Sequence, residues 1–319
     1  IYGRYVCDYI DIDPLRDEKK SVIEKINMIV NASLGIKEGR AVAEKGPVHI
    51  NIYFDEPLIP LESELNVSDF KIHPIKSSDT PIDNLDISTS IKKPLIICGQ
   101  SDLINKKDQI INIAQKIGSP ILADISSNIK LDSHIISFYD HFIDEMPSPD
   151  MIIRFGKKPL SKKLLSLINN NQTYLITQRS RFNDDASNII RMPLNHLKNN
   201  IRAEKESSWL NSFIEKNNLI KDTLSTRLNK KNIHEYNFAY GLIKQIPEQS
   251  NLFIGNSLMI RAFDSFTDRN SKNIRIFSNR GASGIDGNIS SALGMAKASN
   301  KNNYLIIGDQ SFMHDIGAL

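Results

Sequence analysis

Short apolar runs rich in Ile and Leu recur from residue 91 to the end of the chain. Each is followed by a Gly or polar turn and then by a stretch with helical spacing. Runs of this length suit strands buried on both faces, and their alternation with helices predicts an α/β fold of parallel sheets flanked by helices. The predicted strands are Pro94–Cys98, Pro120–Asp124, Met151–Phe155, Tyr174–Thr177, Leu252–Ile254, Ile274–Phe277 and Tyr304–Ile307.

Two breaks in this pattern predict the domain boundaries. Residues 60–93 mix Ser, Asp, Asn and Pro with little periodicity, which is typical of a linker. The second break lies near residues 227–232, after a long helix that contains Trp209. We therefore expect the tail of one domain over residues 1–60, a linker over 61–92, a complete central domain over 93–230 and the first part of a third domain over 231–319.

The two ends of the chain suggest a part of a longer polypeptide. The sequence begins at Ile1 without an initiator Met, and it stops at Leu319 soon after a strand has passed into the start of a helix. We interpret the chain as truncated at both ends. A stop codon directly after Leu319 in the gene would contradict this interpretation.

The composition narrows the class of protein. Charged residues make up 24% and hydrophobic residues 40% of the 319 residues, which excludes a wholly disordered or fibrous chain. The net charge of +3 is too small to predict a nucleic-acid surface, and no apolar run reaches the roughly 18 residues needed for a membrane span. Cys7 and Cys98 are far apart and lack CxxC spacing, so we expect a reducing, cytoplasmic location.

Two predicted strands in the last third of the chain end in polar turns. In the first turn, Ser257 is placed to cap the next helix, and Arg261 follows one helical turn later on the same face. In the second, Arg280 is followed by glycines at positions 281, 284 and 287, which let a ligand approach the backbone, and by a helix whose first N–H groups can bind an anion. A capped helix with a surface arginine explains the first turn equally well.

A third strand ends beside Gly308 and Asp309. A carboxylate at a strand end can supply one oxygen to Mg²⁺, which commonly shares its oxygen ligands with phosphates, but such an Asp can equally begin a helix. The spacing of the glycines is not GxGxxG, and GxxxxGK[ST] does not occur, so the common dinucleotide and nucleoside-triphosphate motifs are missing. Because the carboxyl ends of parallel strands share one edge, we expect Asn256, Arg280 and Asp309 to lie together.

These segments resemble a known family. The sequences GNSLMIR, SNRGASGIDG and GDQSFMHD, with GPVHINIYFDEPL upstream, are similar to those of the 2-succinyl-5-enolpyruvyl-6-hydroxy-3-cyclohexene-1-carboxylate synthases, the thiamine-diphosphate enzymes of menaquinone and phylloquinone synthesis. The resemblance covers the whole chain and is weakest in the middle. It implies the end of a pyrimidine-binding domain, a Rossmann-like central domain and the first part of a diphosphate-binding domain.

The resemblance also implies cofactor and metal residues. Asp309 matches the aspartate that binds Mg²⁺ (or Mn²⁺), in a GDQS motif where most other thiamine-diphosphate enzymes have GDG. Ile285 matches the apolar residue that holds the cofactor in its bent shape, although an ordinary core isoleucine is the plain alternative. The implied cofactor-binding residues are Ser283, Gly284, Ile285, Gly308, Asp309 and Ser311.

The resemblance further implies residues that hold the carboxylates of the two substrates, 2-oxoglutarate and isochorismate. Ser257, Arg261 and Arg280 match such residues, and arginine offers permanently charged, bidentate donors. Lys162 and Lys163 match a basic pair in the central domain, with Lys162 the better candidate. A run of lysines is otherwise a solvated face.

The implied reaction is the decarboxylation of 2-oxoglutarate and addition of the resulting succinyl carbanion to isochorismate, by an intact homodimer or homotetramer. The glutamate that activates the cofactor and an asparagine that completes the metal site fall outside this sequence, so we expect the chain alone to be inactive. Two alternatives remain open: another thiamine-diphosphate decarboxylase or acyloin synthase, and a non-catalytic nucleotide-binding α/β module.

Overall fold

The protein is represented by a computed structural model that describes residues 6–13, 15–37, 40–41, 46–54, 91–100, 103–177, 184, 186, 188–228, 234–281 and 283–319. The strands in this part of the chain are β1 (Tyr9–Ile12), β2 (Ile36–Lys37), β3 (Arg40–Ala41), β4 (His49–Ile52), β5 (Pro94–Cys98), β6 (Ile121–Ala123), β7 (Ile135–Ile136), β8 (Met151–Phe155), β9 (Thr173–Thr177), β10 (Asn188–Arg191), β11 (Asn251–Ile254), β12 (Arg275–Phe277) and β13 (Asn303–Ile306). The helices are α1 (Lys19–Ser33), α2 (Lys107–Ile117), α3 (Lys162–Asn170), α4 (Leu194–Asn200), α5 (Ser207–Arg227), α6 (Glu235–Gln245), α7 (Leu258–Phe266), α8 (Asn288–Lys297) and α9 (Asp309–His314).

The described residues fall into two compact units. In the first, β1 and β4 pair in parallel, and α1 connects β1 to a short antiparallel β2–β3 pair. Ile10, Ile12 and Ile29 form the small core of this unit. β4 lies in the upstream segment GPVHINIYFDEPL that takes part in the resemblance. Residues 55–90, which contain most of the predicted linker, lie outside the described residues.

The second unit contains a six-stranded parallel sheet in the order β10-β9-β8-β5-β6-β7. Its strands β5, β6 and β8 are buried on both faces because successive side chains enter different cores. Ile96 and Ile153 pack into a core with residues of α2 and α4, whereas Leu95 and Ile152 pack into a core with Trp209 of α5. The near-continuous apolar runs in the sequence correspond to this two-sided burial.

The α/β prediction is confirmed, and each of the seven predicted strands is present with small differences at its ends. Asp124, predicted to end a strand, lies just beyond β6 because its carboxylate accepts hydrogen bonds from the backbone N–H groups of Ser126 and Leu160. β7 and β10 were not predicted. Both are short edge strands that pair with one neighbour each, so their apolar runs are brief. No helix within the described residues is long and apolar enough to span a membrane.

A second parallel sheet has the order β12-β11-β13. Its edge strand β12 is bonded to the loop after β6 of the larger sheet. The side-chain amide of Asn128 donates to the carbonyl of Ile276 at 2.9 Å and accepts from its N–H at 2.7 Å, and Lys130 donates to the carbonyl of Ile274. The asparagine thus replaces a neighbouring strand for the unpaired edge.

A buried carboxylate provides the second link between the sheets. Asp264 of α7 accepts from the N–H of Ile125 at 2.8 Å, from the hydroxyl of Tyr139 at 2.9 Å and from the guanidinium of Arg269. Arg269 also donates to the carbonyls of Ala123 and other backbone groups. These contacts cross the domain boundary predicted near residue 230, and they orient α7, the helix that carries Arg261.

Candidate functional site

The carboxyl ends of β11, β12 and β13 meet at one edge of the smaller sheet. The three strands are parallel and in register, so Asn256, Arg280 and Asp309 follow neighbouring strand ends, as expected. Gly255 donates to the carbonyl of Ile306 at 2.8 Å. We refer to this edge, with the loops that follow each strand, as the strand-end site.

Two arginines from different elements donate to adjacent residues of this site, Arg261 to Ser257 and Arg280 to Asn256. Arg261, exposed on the first turn of α7, donates to the carbonyl of Ser257 at 2.6 Å. Burial lowers the pKa of Arg280, and repulsion from the guanidinium of Arg261 lowers it further. Two cations that repel each other favour an anion between or beside them.

Ser257 does not cap α7 through its side chain, so that part of the prediction is wrong. The residue has φ 74° and ψ −138°, and its side chain makes no capping hydrogen bond. This left-handed φ is strained for a residue other than glycine and turns the Ser257 carbonyl towards Arg261. Its exposed side chain remains available to a ligand.

The segment after β12 forms a loop rich in glycine, which we call the glycine loop (residues 280, 281 and 283–287). Gly281 has φ +140°, a conformation that favours glycine, and Ser283 has φ 58°. Ile285 in this loop is 40% exposed, so it is not the ordinary core isoleucine of the plain alternative. The loop therefore leaves an apolar, β-branched side chain exposed.

The first N–H groups of α8, expected to bind an external anion, are already paired. The carboxylate of Asp315 accepts from the N–H of Ile289 at 2.6 Å and from that of Ser290 at 3.3 Å. The prediction of a free helix end is therefore wrong at these two positions. Asp315 follows α9, so this contact joins the end of the GDQSFMHD segment to the first turn of α8.

Replacing Asp315 with Ala is expected to lower the free energy of unfolding by about 1 kcal/mol, because the substitution removes a charged cap from α8. Chemical denaturation measures the effect. Asp222→Ala, an exposed aspartate on α5, is the control. Equal stabilities of the two variants would contradict the capping role.

Asp309 is the first residue of α9, and Gly308 precedes it at the N-cap position. The Asp309 side chain is exposed, and its Oδ1 accepts from the N–H of Gln310 at 2.9 Å. Gly308 faces open space, since a Cβ there would meet no atom within 4 Å, and Ser311 is half-buried one turn along the helix. Within the described residues, no three His, Cys, Asp or Glu side chains are grouped to hold a metal ion.

The larger sheet contributes residues that the sequence reasoning missed. Gln100, just beyond β5, donates to the carbonyl of Ser278 at 2.9 Å, and Lys157, just beyond β8, reaches the carbonyl of Arg280 at 3.5 Å. Both follow the carboxyl ends of central strands, which is the signal that could have identified them. Of the predicted basic pair, Lys163 forms an ion pair with Asp144 at 2.7 Å and Lys162 is exposed.

Comparison with known proteins adds independent information. Residues 76–254 match the family described as "Middle domain of thiamine pyrophosphate". A relative from Bacillus velezensis is 28% identical over the whole chain, and relatives from Listeria monocytogenes and Geobacillus thermodenitrificans are each 29% identical. All three are named 2-succinyl-5-enolpyruvyl-6-hydroxy-3-cyclohexene-1-carboxylate synthase. The chain spans 58–59% of the length of these relatives.

Proposed function

The chain belongs to the family of thiamine pyrophosphate enzyme middle domains, and from that premise we propose that the protein containing it decarboxylates 2-oxoglutarate and joins the remaining succinyl unit to isochorismate. The relatives that match the whole chain are named as the corresponding synthase. The reaction releases CO₂ and forms one carbon–carbon bond. Because the chain spans about 59% of those relatives, the activity is assigned to the whole protein.

One observation of the structure carries the substrate assignment. Arg261 of α7 and Arg280, which follows β12, donate to adjacent residues of the strand-end site, Ser257 and Asn256. Each substrate carries two carboxylates, which guanidinium groups bind by charge-assisted, bidentate hydrogen bonds. We assign Arg261, Arg280 and the exposed Ser257 to substrate binding. We assign Lys162 and Lys163 of the central domain to a further contact with the substrate.

The residues at the same edge fit thiamine diphosphate and a divalent cation. The exposed carboxylate of Asp309 suits Mg²⁺ or Mn²⁺, because Mg²⁺ is commonly held by one or two carboxylates together with phosphate oxygens. Gly308, the residue before Asp309, faces open space. We assign Ser283, Gly284 and Ser311 to cofactor binding as well. The cofactor would supply the electron sink for decarboxylation.

The remaining roles follow from the side chains of this chain. Ile285 presents an exposed apolar surface against which the bound cofactor can rest. Arg261 and Arg280 orient the dicarboxylate. When one carboxylate leaves as CO₂, their fixed positive charges continue to bind the carboxylate that remains. We further propose that residues 1–60 and 231–319 belong to the pyrimidine-binding and diphosphate-binding domains and that the intact protein is a homodimer or homotetramer.

The proposal predicts that the full-length protein sustains CO₂ release from 2-oxoglutarate over many turnovers only when thiamine diphosphate, Mg²⁺ and isochorismate are all present. Mass spectrometry of the product should show the masses of isochorismate and 2-oxoglutarate combined, less CO₂. Use of pyruvate with no use of isochorismate would support another thiamine-diphosphate decarboxylase instead. The chain of 319 residues by itself is expected to release no CO₂.

A non-catalytic nucleotide-binding module is the second candidate. The parallel six-stranded sheet favours it, since such sheets bind nucleotides at the carboxyl ends of their strands. Titration of the protein with FAD and NAD distinguishes the two functions. Micromolar binding without CO₂ release would support the nucleotide-binding module.

A further inference from the structure

Asn256 is bonded to three separate parts of the strand-end site. Its Nδ2 donates to the carbonyl of Asn279 at 3.0 Å and to the carbonyl of Gly284 at 2.9 Å. Its Oδ1 accepts from the guanidinium of Arg280 at 3.2 Å. The half-buried side chain therefore joins the end of β11 to the end of β12, to the glycine loop and to one of the two arginines.

The chemistry of this position is specific to an amide. A side-chain amide provides two N–H donors and a carbonyl acceptor, and here both ends of the group are used. An aspartate would keep an acceptor for Arg280 but would place a second carboxylate oxygen against two carbonyl oxygens. A serine or alanine is too short to reach all three partners.

The contact also constrains the arginine without neutralising it. The Asn256 oxygen is uncharged, so it orients one Nη of Arg280 and leaves the positive charge and the remaining donors of the guanidinium for a ligand. The carbonyl of Gly284 is held by the same side chain, immediately before the exposed Ile285.

We propose that Asn256 is a positioning residue that holds Arg280 ready for a substrate carboxylate and fixes the glycine loop that presents Ile285. Its role in substrate binding rests on the proposed function. The positioning of the loop does not, because it follows from hydrogen bonds within the chain.

The test compares full-length protein with Asn256→Asp and Asn256→Ala. Asn251→Asp is the matched control, since Asn251 lies at the other end of β11, is buried and also donates through its Nδ2, to Ser299 and Asn303. Amide hydrogen exchange is measured without cofactor or substrate. We expect exchange in the glycine loop to accelerate roughly tenfold or more in both Asn256 variants and to stay unchanged in Asn251→Asp. Unchanged exchange in β5 and β8 shows that the variants are folded.

Steady-state kinetics supply the second readout. In Asn256→Asp, the new carboxylate competes with substrate for Arg280, so KM for 2-oxoglutarate should rise roughly tenfold or more, with a smaller change in kcat. Loop exchange at the wild-type rate in both Asn256 variants would overturn the proposal, as would an unchanged KM in an active Asn256→Asp enzyme. If the wild-type protein does not release CO₂, the proposed function fails, and loop exchange still decides whether Asn256 positions the loop.

Discussion

Replacing Asp264 with Ala is expected to lower the free energy of unfolding by about 3–5 kcal/mol, the usual cost of removing one partner of a buried ion pair. Asp264 is 2% exposed, and its carboxylate accepts hydrogen bonds from Ile125, Tyr139 and Arg269. The substitution leaves those donors without an acceptor in the space between the two sheets of the second unit. Denaturant unfolding measures the change, and a loss below about 1 kcal/mol would contradict the prediction.

The same residue should make the stability depend on pH. Burial raises the pKa of Asp264 from 3.8 to about 7, although the guanidinium of Arg269 acts in the opposite direction. Between pH 3.8 and about 7, Asp264 keeps a proton in the folded protein that it has lost in the unfolded chain. The contribution of Asp264 to stability is therefore fully present below pH 3.8 and decreases as the pH rises through about 7. The destabilisation caused by Asp264→Ala should therefore be larger at about pH 5 than at about pH 8.

Asp264→Asn separates shape from charge. The amide fills the same volume and accepts through one oxygen, but its NH₂ group faces donors. We expect a smaller loss of stability than with Ala and little difference between the two pH values. A pH dependence equal to that of the wild type would show that another group titrates.

Replacing Asp309 with Ala is expected to weaken the Mg²⁺-dependent binding of thiamine diphosphate to the full-length protein by about 100-fold or more. Residues that only hydrogen-bond to metal ligands already contribute about 10- to 100-fold to metal affinity, and Asp309 offers an exposed carboxylate as a direct ligand. Calorimetric titration of thiamine diphosphate at fixed Mg²⁺ gives the affinity directly, without relying on turnover.

Asp222→Ala is the control for Asp309, because it removes the same charge from an exposed position on α5. It should bind the cofactor as the wild type does. Asp309→Ala with unchanged affinity would remove Asp309 from the metal site, whereas equal weakening in both variants would indicate a general effect of charge.

Several features of the fold could be predicted from local sequence. The strands β5, β8 and β11 were predicted because their apolar runs are continuous, which follows from burial on both faces. The strand-end residues Asn256 and Arg280 were predicted because polar residues directly follow those runs. Their proposed roles came from the resemblance to a known family, because hydrophobic periodicity gives no information about the role of a residue.

Other features depend on side chains that meet across long stretches of chain. Asp315 caps α8, and Asn128 pairs with the edge of β12. In the sequence each is an ordinary polar residue in a loop. Their partners are selected by distance in the folded chain, and local spacing carries no information about that distance.

The sequence by itself determined the α/β class, the parallel arrangement of the strands and the edge at which the polar residues gather, since each depends on which positions are apolar and where each run ends. The tertiary structure alone decided how that edge is organised. It bonded Arg261 to Ser257 and Arg280 to Asn256, and it bonded Asn256 to the glycine loop. It also buried Asp264 between two sheets. Hydrogen bonds and charges act over a few ångströms in space, so their partners are known only once the chain has folded.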